Sequence, residues 1–125
     1  MNIITKLSKG EVFVFGSNYA GRHGKGAAKQ ALKFGAVYGQ GTGLMGQTYG
    51  IATKDKNLKV VRLHVIRYQI YKFLRFAQMH PELKFLVTQI GCGLAGYRPK
   101  DIAPLFYSHK IPDNVVLPEV FERYK

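Results

Sequence analysis

Residues 14–35 read VFGSNYAGRHGKGAAKQALKFG and decide the fold, because they join an apolar run to a glycine-rich loop and then to an amphipathic segment. The run EVFVF (11–15) is apolar after its first residue, which predicts a strand buried on both faces of a sheet. Residues 27–34 predict a helix, and Gly35 is a typical helix stop. The glycines between strand and helix are Gly16, Gly21, Gly24 and Gly26.

The same alternation of strands and helices continues downstream. The predicted elements are, in order, a strand at 48–53, a helix within 60–80 that ends at Pro81, a strand at 84–90, a helix that starts at Pro99 and a strand at 114–118. Strands that alternate with helices predict an α/β sheet covered by helices on both faces. With 125 residues, the chain is expected to form a single domain over residues 1–125.

The net charge and the cysteine content indicate which classes of partner and which cellular compartment to expect. Nineteen Lys and Arg against seven Asp and Glu give a net charge of +12, which favours phosphorylated ligands or polyanions. The alternative is a highly soluble surface without an acidic partner. Cys92 is the only cysteine, which excludes an internal disulfide, and the N-terminal stretch shows no export signal. From the lone cysteine and the lack of an export signal, we expect a cytoplasmic protein. We expect no membrane partner, because the longest uncharged stretch, 34–53, contains six glycines.

Two glycine-rich segments follow predicted strands and precede predicted helices. They are the first glycine loop (residues 16–26) and the second glycine loop (residues 91–96). Ligands of such sheets lie beyond the carboxyl ends of the strands. Glycine lets the backbone approach a ligand closely, and successive N–H groups bind anionic oxygen. Two such loops at neighbouring strand ends predict a diphosphate site; the alternative is that the glycines only form tight turns.

The segments GSN (16–18), HGKGAA (23–28) and IGCGLAGY (90–97) resemble, in their order and spacing, those of macrodomains, the ADP-ribose-binding α/β fold. The resemblance is closest to the branch that contains terminal ADP-ribose protein glycohydrolase and the antitoxin macrodomains that strip ADP-ribose from DNA. GAAKQALKFG (26–35) and ATK (52–54) are similar to segments of that branch. The resemblance implies a compact macrodomain-like mixed sheet with helices on both faces.

The resemblance also implies a ligand and a set of residues that bind it. The two loops would wrap the diphosphate and the distal ribose of ADP-ribose or a related NAD-derived nucleotide. Asn18 would lie near that ribose, and Tyr97 would pack on a sugar or ring. The implied ligand-binding residues are Gly16, Ser17, Asn18, His23, Gly24, Lys25, Gly26, Ala27, Ile90, Gly91, Cys92, Gly93, Leu94, Ala95, Gly96 and Tyr97.

Hydrolysis of ADP-ribose from modified DNA, RNA or protein is a further activity that the resemblance suggests. In the glycohydrolase branch a lysine forms a covalent adduct, and an acidic residue directly after IGCGL assists. Lys54 matches that lysine and, with Asn18, is the candidate catalytic residue, whereas Ala95 stands at the acidic position. Asp55 is the acid nearest to Lys54, but side chains of neighbouring strand residues face opposite sides.

Two alternatives to this activity are a basic nucleic-acid-binding protein and a protein that sequesters a signalling nucleotide without chemistry. Basic residues recur along two predicted helices and form either the solvated polar face of an amphipathic helix or a phosphate track: Arg22, Lys25, Lys29, Lys33, Arg62, Arg67, Lys72 and Arg75. The interleaved Tyr68, Tyr71, Phe73 and Phe76 are expected to belong to the core. The histidines and Cys92 lack metal-ligand spacing, so we expect neither a metal nor a cofactor. The sequence gives no oligomeric state.

Overall fold

The computed structural model describes residues 4–125, in which the chain forms five strands, three α-helices and two short 3-10 helices. The strands are β1 (Glu11–Asn18), β2 (Gly43–Met45), β3 (Thr48–Lys54), β4 (Lys84–Val87) and β5 (Val115–Val116). The α-helices are α1 (Gly26–Ala31), α2 (Leu63–Met79) and α3 (Pro99–Tyr107), and the 3-10 helices are Leu32–Phe34 and Glu119–Tyr124. The expectation about export signals concerns in part residues 1–3, which lie outside the described residues.

The strands form one mixed sheet in the order β2-β3-β1-β4-β5. β1 is parallel to β3 and to β4, β4 is parallel to β5, and β2 is antiparallel to β3. The predicted α/β sheet is therefore confirmed. Because β1, β3 and β4 run in the same direction, their carboxyl ends lie at one edge of the sheet, which carries both glycine loops.

Helices cover both faces of the sheet, as predicted, because successive side chains of β1 point to opposite sides. Phe13 and Phe15 pack in one buried cluster with Ala28 and Ala31 of α1. Val12 and Val14 pack in a second, larger cluster on the other face, where the residues of α2 and α3 are Ile66, Ile70, Phe73, Leu74, Ala77, Ile102, Ala103 and Phe106. About a dozen large apolar side chains become buried when the chain folds. Their removal from water stabilises this arrangement.

Several element boundaries differ from the sequence prediction. The predicted helix over 27–34 ends as an α-helix at Ala31 and continues as the 3-10 helix, and Gly35 with a φ of 111° stops it. β4 ends at Val87 rather than at residue 90, since the chain turns and the Ile90 amide donates to the Thr88 carbonyl at 2.8 Å. β2 and the C-terminal 3-10 helix were not predicted.

The expectation that all four aromatic residues of α2 belong to the core is wrong for two of them. Phe73 is buried and Phe76 is half-buried, but Tyr68 is 62% exposed and Tyr71 is 43% exposed. The tyrosines lie on the side of α2 opposite to Ile66, Ile70 and Phe73.

Among residues 4–125, no helix has both the length and the apolar character needed to cross a lipid bilayer.

Candidate functional site

The carboxyl ends of β1 and β3 bring Asn18 and Lys54 together. The two residues are partners in the register of the parallel ladder, which shifts at Ser17 and Asn18 through a local irregularity. The Tyr19 amide donates to the Lys54 carbonyl at 2.9 Å, so the first residue after β1 is still bound to the end of β3. The Lys54 side chain is half-buried at this edge.

The two glycine loops meet in space. A β-carbon at Gly16 would lie 3.3 Å from the backbone nitrogen of Gly91 and 3.5 Å from Cγ2 of Ile90. Farther along the loops, a β-carbon at Gly26 would lie 3.9 Å from Cδ1 of Leu94. The absence of a side chain at Gly16 therefore allows the end of β1 and the start of the second loop to pack backbone against backbone.

Asn18 gives the first glycine loop its shape. Its Nδ2 donates to the Arg22 carbonyl at 2.8 Å, and its Oδ1 accepts from the Arg22 amide at 2.9 Å. The Asn18 side chain is buried. A ligand that bound the Asn18 amide group would compete with both of these bonds, so the geometry gives Asn18 a role in positioning the loop.

His23 belongs to the first glycine loop, and its side chain is fully buried. Its Nε2 lies 2.8 Å from the Val37 carbonyl and 2.9 Å from the Gln40 carbonyl. Because both partners are acceptors, Nε2 carries the proton and donates to them. Its Nδ1 is buried without a hydrogen-bond partner in the described residues. The imidazole therefore faces the segment 37–41, and the protein encloses it.

The segment 37–41 supports the first glycine loop, and this is the part of the site that the sequence reasoning missed. The buried Ser17 hydroxyl donates to the Gly41 carbonyl, and the Gly39 amide donates to the Gly21 carbonyl at 3.0 Å. Gly21 has a φ of 71°, and a β-carbon there would lie 2.4 Å from the Gln40 nitrogen. The only sequence signal was the glycine content of the segment, which also fits an ordinary turn.

Both loops present exposed backbone at the same edge. Gly24, Lys25, Gly93 and Leu94 are exposed, and Ala95 is half-buried. Within residues 4–125, the backbone amides of these five residues donate no hydrogen bond. Gly93 and Gly96 have open space where a β-carbon would be. Of the other ligand residues inferred from the sequence, Gly26 and Gly96 are exposed, Ala27 is half-buried, and Ile90 and Gly91 are buried.

Tyr97 fastens the second glycine loop to the segment before α2. Its hydroxyl donates to the Val61 carbonyl at 2.5 Å, and its ring packs against the larger core cluster. The half-buried ring is held by these contacts. A sugar that stacked on Tyr97 would therefore meet a ring whose protein-facing side is already packed.

Cys92 is a neutral thiol in this environment. Burial, and to a smaller extent the negative charge of Asp101, raise its pKa from 9.0 to about 11. The sulfur lies 3.5 Å from the Ile90 carbonyl. A nucleophilic cysteine requires a thiolate at neutral pH, so the site favours a packing role for Cys92.

Asp55 shapes the turn after β3. Its Oδ1 accepts from the Asn57 amide at 2.8 Å and from the Lys59 amide at 3.0 Å. Leu58 within this turn has a φ of 61°. The carboxylate is thus engaged in local backbone bonds beside Lys54, and Ala95 offers no acidic group in the second loop.

Comparisons of the chain with known proteins gave no match: no family model matches it, and no curated protein or solved structure is significantly similar to it.

Two concavities in the described part of the chain lie away from the glycine loops. One, of about 480 Å³, lies at the amino end of β1, with Lys9, Leu44 and Leu83 among its lining residues. The other, of about 510 Å³, lies beside α2. Over residues 4–125, no three His, Cys, Asp or Glu side chains cluster as metal ligands.

Proposed function

We propose that the chain binds ADP-ribose or a related NAD-derived nucleotide where the two glycine loops meet. The observation that carries this proposal is the contact of Gly16 with Gly91, which brings two segments with free amides to one edge of the sheet. Backbone amides without a hydrogen-bond partner can bind anionic oxygen, and a diphosphate offers such oxygens to both loops at once. Arg22 and Lys25, both exposed in the first loop, add positive charge nearby.

Calorimetric titration with ADP-ribose, cyclic ADP-ribose and ADP tests this proposal. We expect heat of binding with at least one of these nucleotides. Absence of heat with all three would overturn the proposal.

Gly93 offers a sharp variant for the same titration. It has no positive φ and no neighbour within 4 Å of a β-carbon, so a side chain there does not strain the fold. Gly93→Glu places a carboxylate among the free amides, and we expect it to weaken nucleotide binding by about tenfold or more through repulsion. Gly93→Gln has the same size without the charge and is expected to weaken binding less. Equal affinities of the two variants would argue against an anion at the second loop.

Removal of ADP-ribose from a modified nucleic acid or protein is a second candidate function. The observation that favours it is the register pairing of Lys54 with Asn18 at the same edge as the loops. However, Ala95 has no acidic group, and the Asp55 carboxylate is engaged in its own turn. Binding without chemistry is therefore the better supported function.

Recovery of the nucleotide separates the two functions. The protein is incubated with ADP-ribosylated oligonucleotide or protein, heat-denatured, and the supernatant is analysed for free ADP-ribose. Released ADP-ribose that is lost in Lys54→Ala, but not in Lys56→Ala, supports hydrolysis through Lys54. Recovery of intact nucleotide alone, after incubation with free ADP-ribose, supports sequestration.

A further inference from the structure

The outer face of α2 is cationic and aromatic. Its exposed residues recur every three or four positions and so lie on one side of the helix: His64, Arg67, Tyr68, Tyr71, Lys72, Arg75, Gln78 and Met79. No residue of α2 is acidic. Across residues 4–125 the one close contact between a basic and an acidic side chain is that of His80 Nδ1 with Glu82, at 3.1 Å. The lysines and arginines of this face therefore form no ion pair with a carboxylate in the described residues, which favours a polyanionic partner.

Cations hold the two exposed tyrosine rings. The Lys72 ammonium lies 5.7 Å from the centroid of the Tyr68 ring, and the Arg75 guanidinium lies 6.0 Å from that of Tyr71. Arg75 Nη1 also donates to the Tyr71 hydroxyl at 3.3 Å. Aromatic rings that remain accessible beside cations are the combination that single-stranded nucleic acids use, because bases stack while phosphates meet the charges.

A groove continues from this face. Its volume is about 510 Å³, and it lies between the C-terminal half of α2 and the segment 109–114. The rings of Tyr71 and His109, 5.7 Å apart, form one part of its wall. Arg75 and Lys110 supply positive charge, and Asp113 is the acidic residue of the lining. This volume lies within the range of small-ligand sites and suffices for a nucleobase with its sugar.

We propose that the groove and the adjoining face of α2 bind single-stranded nucleic acid. One base stacks in the groove against Tyr71 and His109, and a neighbouring base stacks on Tyr68. The phosphates lie near the exposed cations Arg67, Lys72, Arg75 and Lys110. Stacking distinguishes this partner from a duplex, whose base faces are covered, and from an acidic protein, whose recognition would not require the tyrosine rings.

The proposed site is separate from the glycine loops. Pro81 and Asn114, which line the groove, precede β4 and β5 in the chain. The groove therefore lies toward the amino ends of these strands, whereas the glycine loops lie at the carboxyl ends. The inference goes beyond the proposed nucleotide site and does not depend on it.

Fluorescence anisotropy with a short labelled oligo(dT) strand tests the inference on the full chain. We expect Tyr71→Ala to weaken binding by roughly five- to hundredfold through the loss of one stacked base, and Tyr71→Phe to retain most of the affinity. Lys110→Gln should weaken binding and lower the slope of log K against log salt by about 1. The matched control is Lys29→Gln on α1, which removes the same charge from the opposite face and should change affinity by less than about twofold.

Each result decides for or against the inference. Unchanged affinity in Tyr71→Ala, or equal losses in Lys110→Gln and Lys29→Gln, would overturn it, and equally tight binding of duplex would do so too. Where Tyr71→Ala lowers the melting temperature, Tyr68→Ala replaces it, because that side chain is 62% exposed. Calorimetry with ADP-ribose on the same variants keeps the two sites apart, since the groove variants are expected to leave nucleotide binding unchanged.

Discussion

Gly16 and Gly91 lie so close together that a β-carbon at Gly16 would be 3.3 Å from the Gly91 nitrogen. This contact joins the end of β1 to the second glycine loop and fixes how the two loops face each other. Any change that separates the two backbones would alter the stability of the edge together with its affinity for anions.

Gly91→Ala is expected to lower the free energy of unfolding by about 1–2 kcal/mol or more, because Gly91 has a φ of 75° that L side chains rarely adopt. The added β-carbon would also press on Cδ1 of Ile102 at 3.2 Å. Urea denaturation measures the change. Gly93→Ala in the same loop is the control, since Gly93 has open space and no positive φ; equal losses in both variants would contradict the argument.

Gln69 of α2 binds β3 at Ala52, beyond the three residues of β3 that pair with β2. Its Oε1 accepts from the Ala52 amide at 2.7 Å, and its Nε2 donates to the Ala52 carbonyl at 2.6 Å. Gln69→Ala leaves both buried backbone groups without a partner, so we expect a loss of about 2–4 kcal/mol in unfolding free energy. Gln78→Ala, on the exposed side of the same helix, should change stability by less than about 0.5 kcal/mol. An unchanged free energy of unfolding in Gln69→Ala would mean that water replaces the side-chain amide as the partner of Ala52.

His23→Ala should destabilise the protein by roughly 2–4 kcal/mol, because it leaves a cavity under the first glycine loop and removes the donor to Val37 and Gln40. His23→Gln supplies an amide donor and is expected to retain part of this stability. Thermal unfolding measures both variants, with the exposed His64→Ala as the control. If His23→Ala kept its stability and lost only ligand affinity, the imidazole would belong to the binding surface after all.

Alkylation of Cys92 should be slow at neutral pH and accelerate as pH approaches about 11, because burial raises the pKa of its thiol from 9.0. The raised folded-state pKa also implies that stability contributed by this group is complete below pH 9.0 and is lost as pH rises toward 11. Iodoacetamide kinetics followed by mass spectrometry give the profile, and the urea-unfolded chain is the reference. A native rate profile with a midpoint at or below that of the unfolded chain would contradict the assignment.

The apolar periodicity of the sequence predicted most of the elements, because burial determines where β1, β3 and α2 form. β2 escaped prediction since the three residues Gly43–Met45 have too little alternation to distinguish a strand from a turn. The exposure of Tyr68 and Tyr71 also escaped prediction, because an aromatic residue within an amphipathic helix fits the core equally well.

The meeting of the two glycine loops followed from the sequence, since parallel strands place their carboxyl ends at one edge. The roles of individual side chains did not follow. His23 and Ser17 bind carbonyls of residues 37, 40 and 41, and the Asn18 amide binds Arg22. Partners of this kind depend on how a glycine-rich connection folds back, which no local pattern encodes.

The lack of contacts between basic and acidic side chains in residues 4–125, other than that of His80 with Glu82, affects any search for ligands by their effect on the melting temperature. With a net charge of +12 and few opposite charges in contact, mutual repulsion weakens the folded state. Multivalent anions such as sulfate or heparin will then raise the melting temperature by screening alone, with no site occupied. A compound counts as a ligand only when it raises the melting temperature more than a simple anion of equal charge does at the same ionic strength.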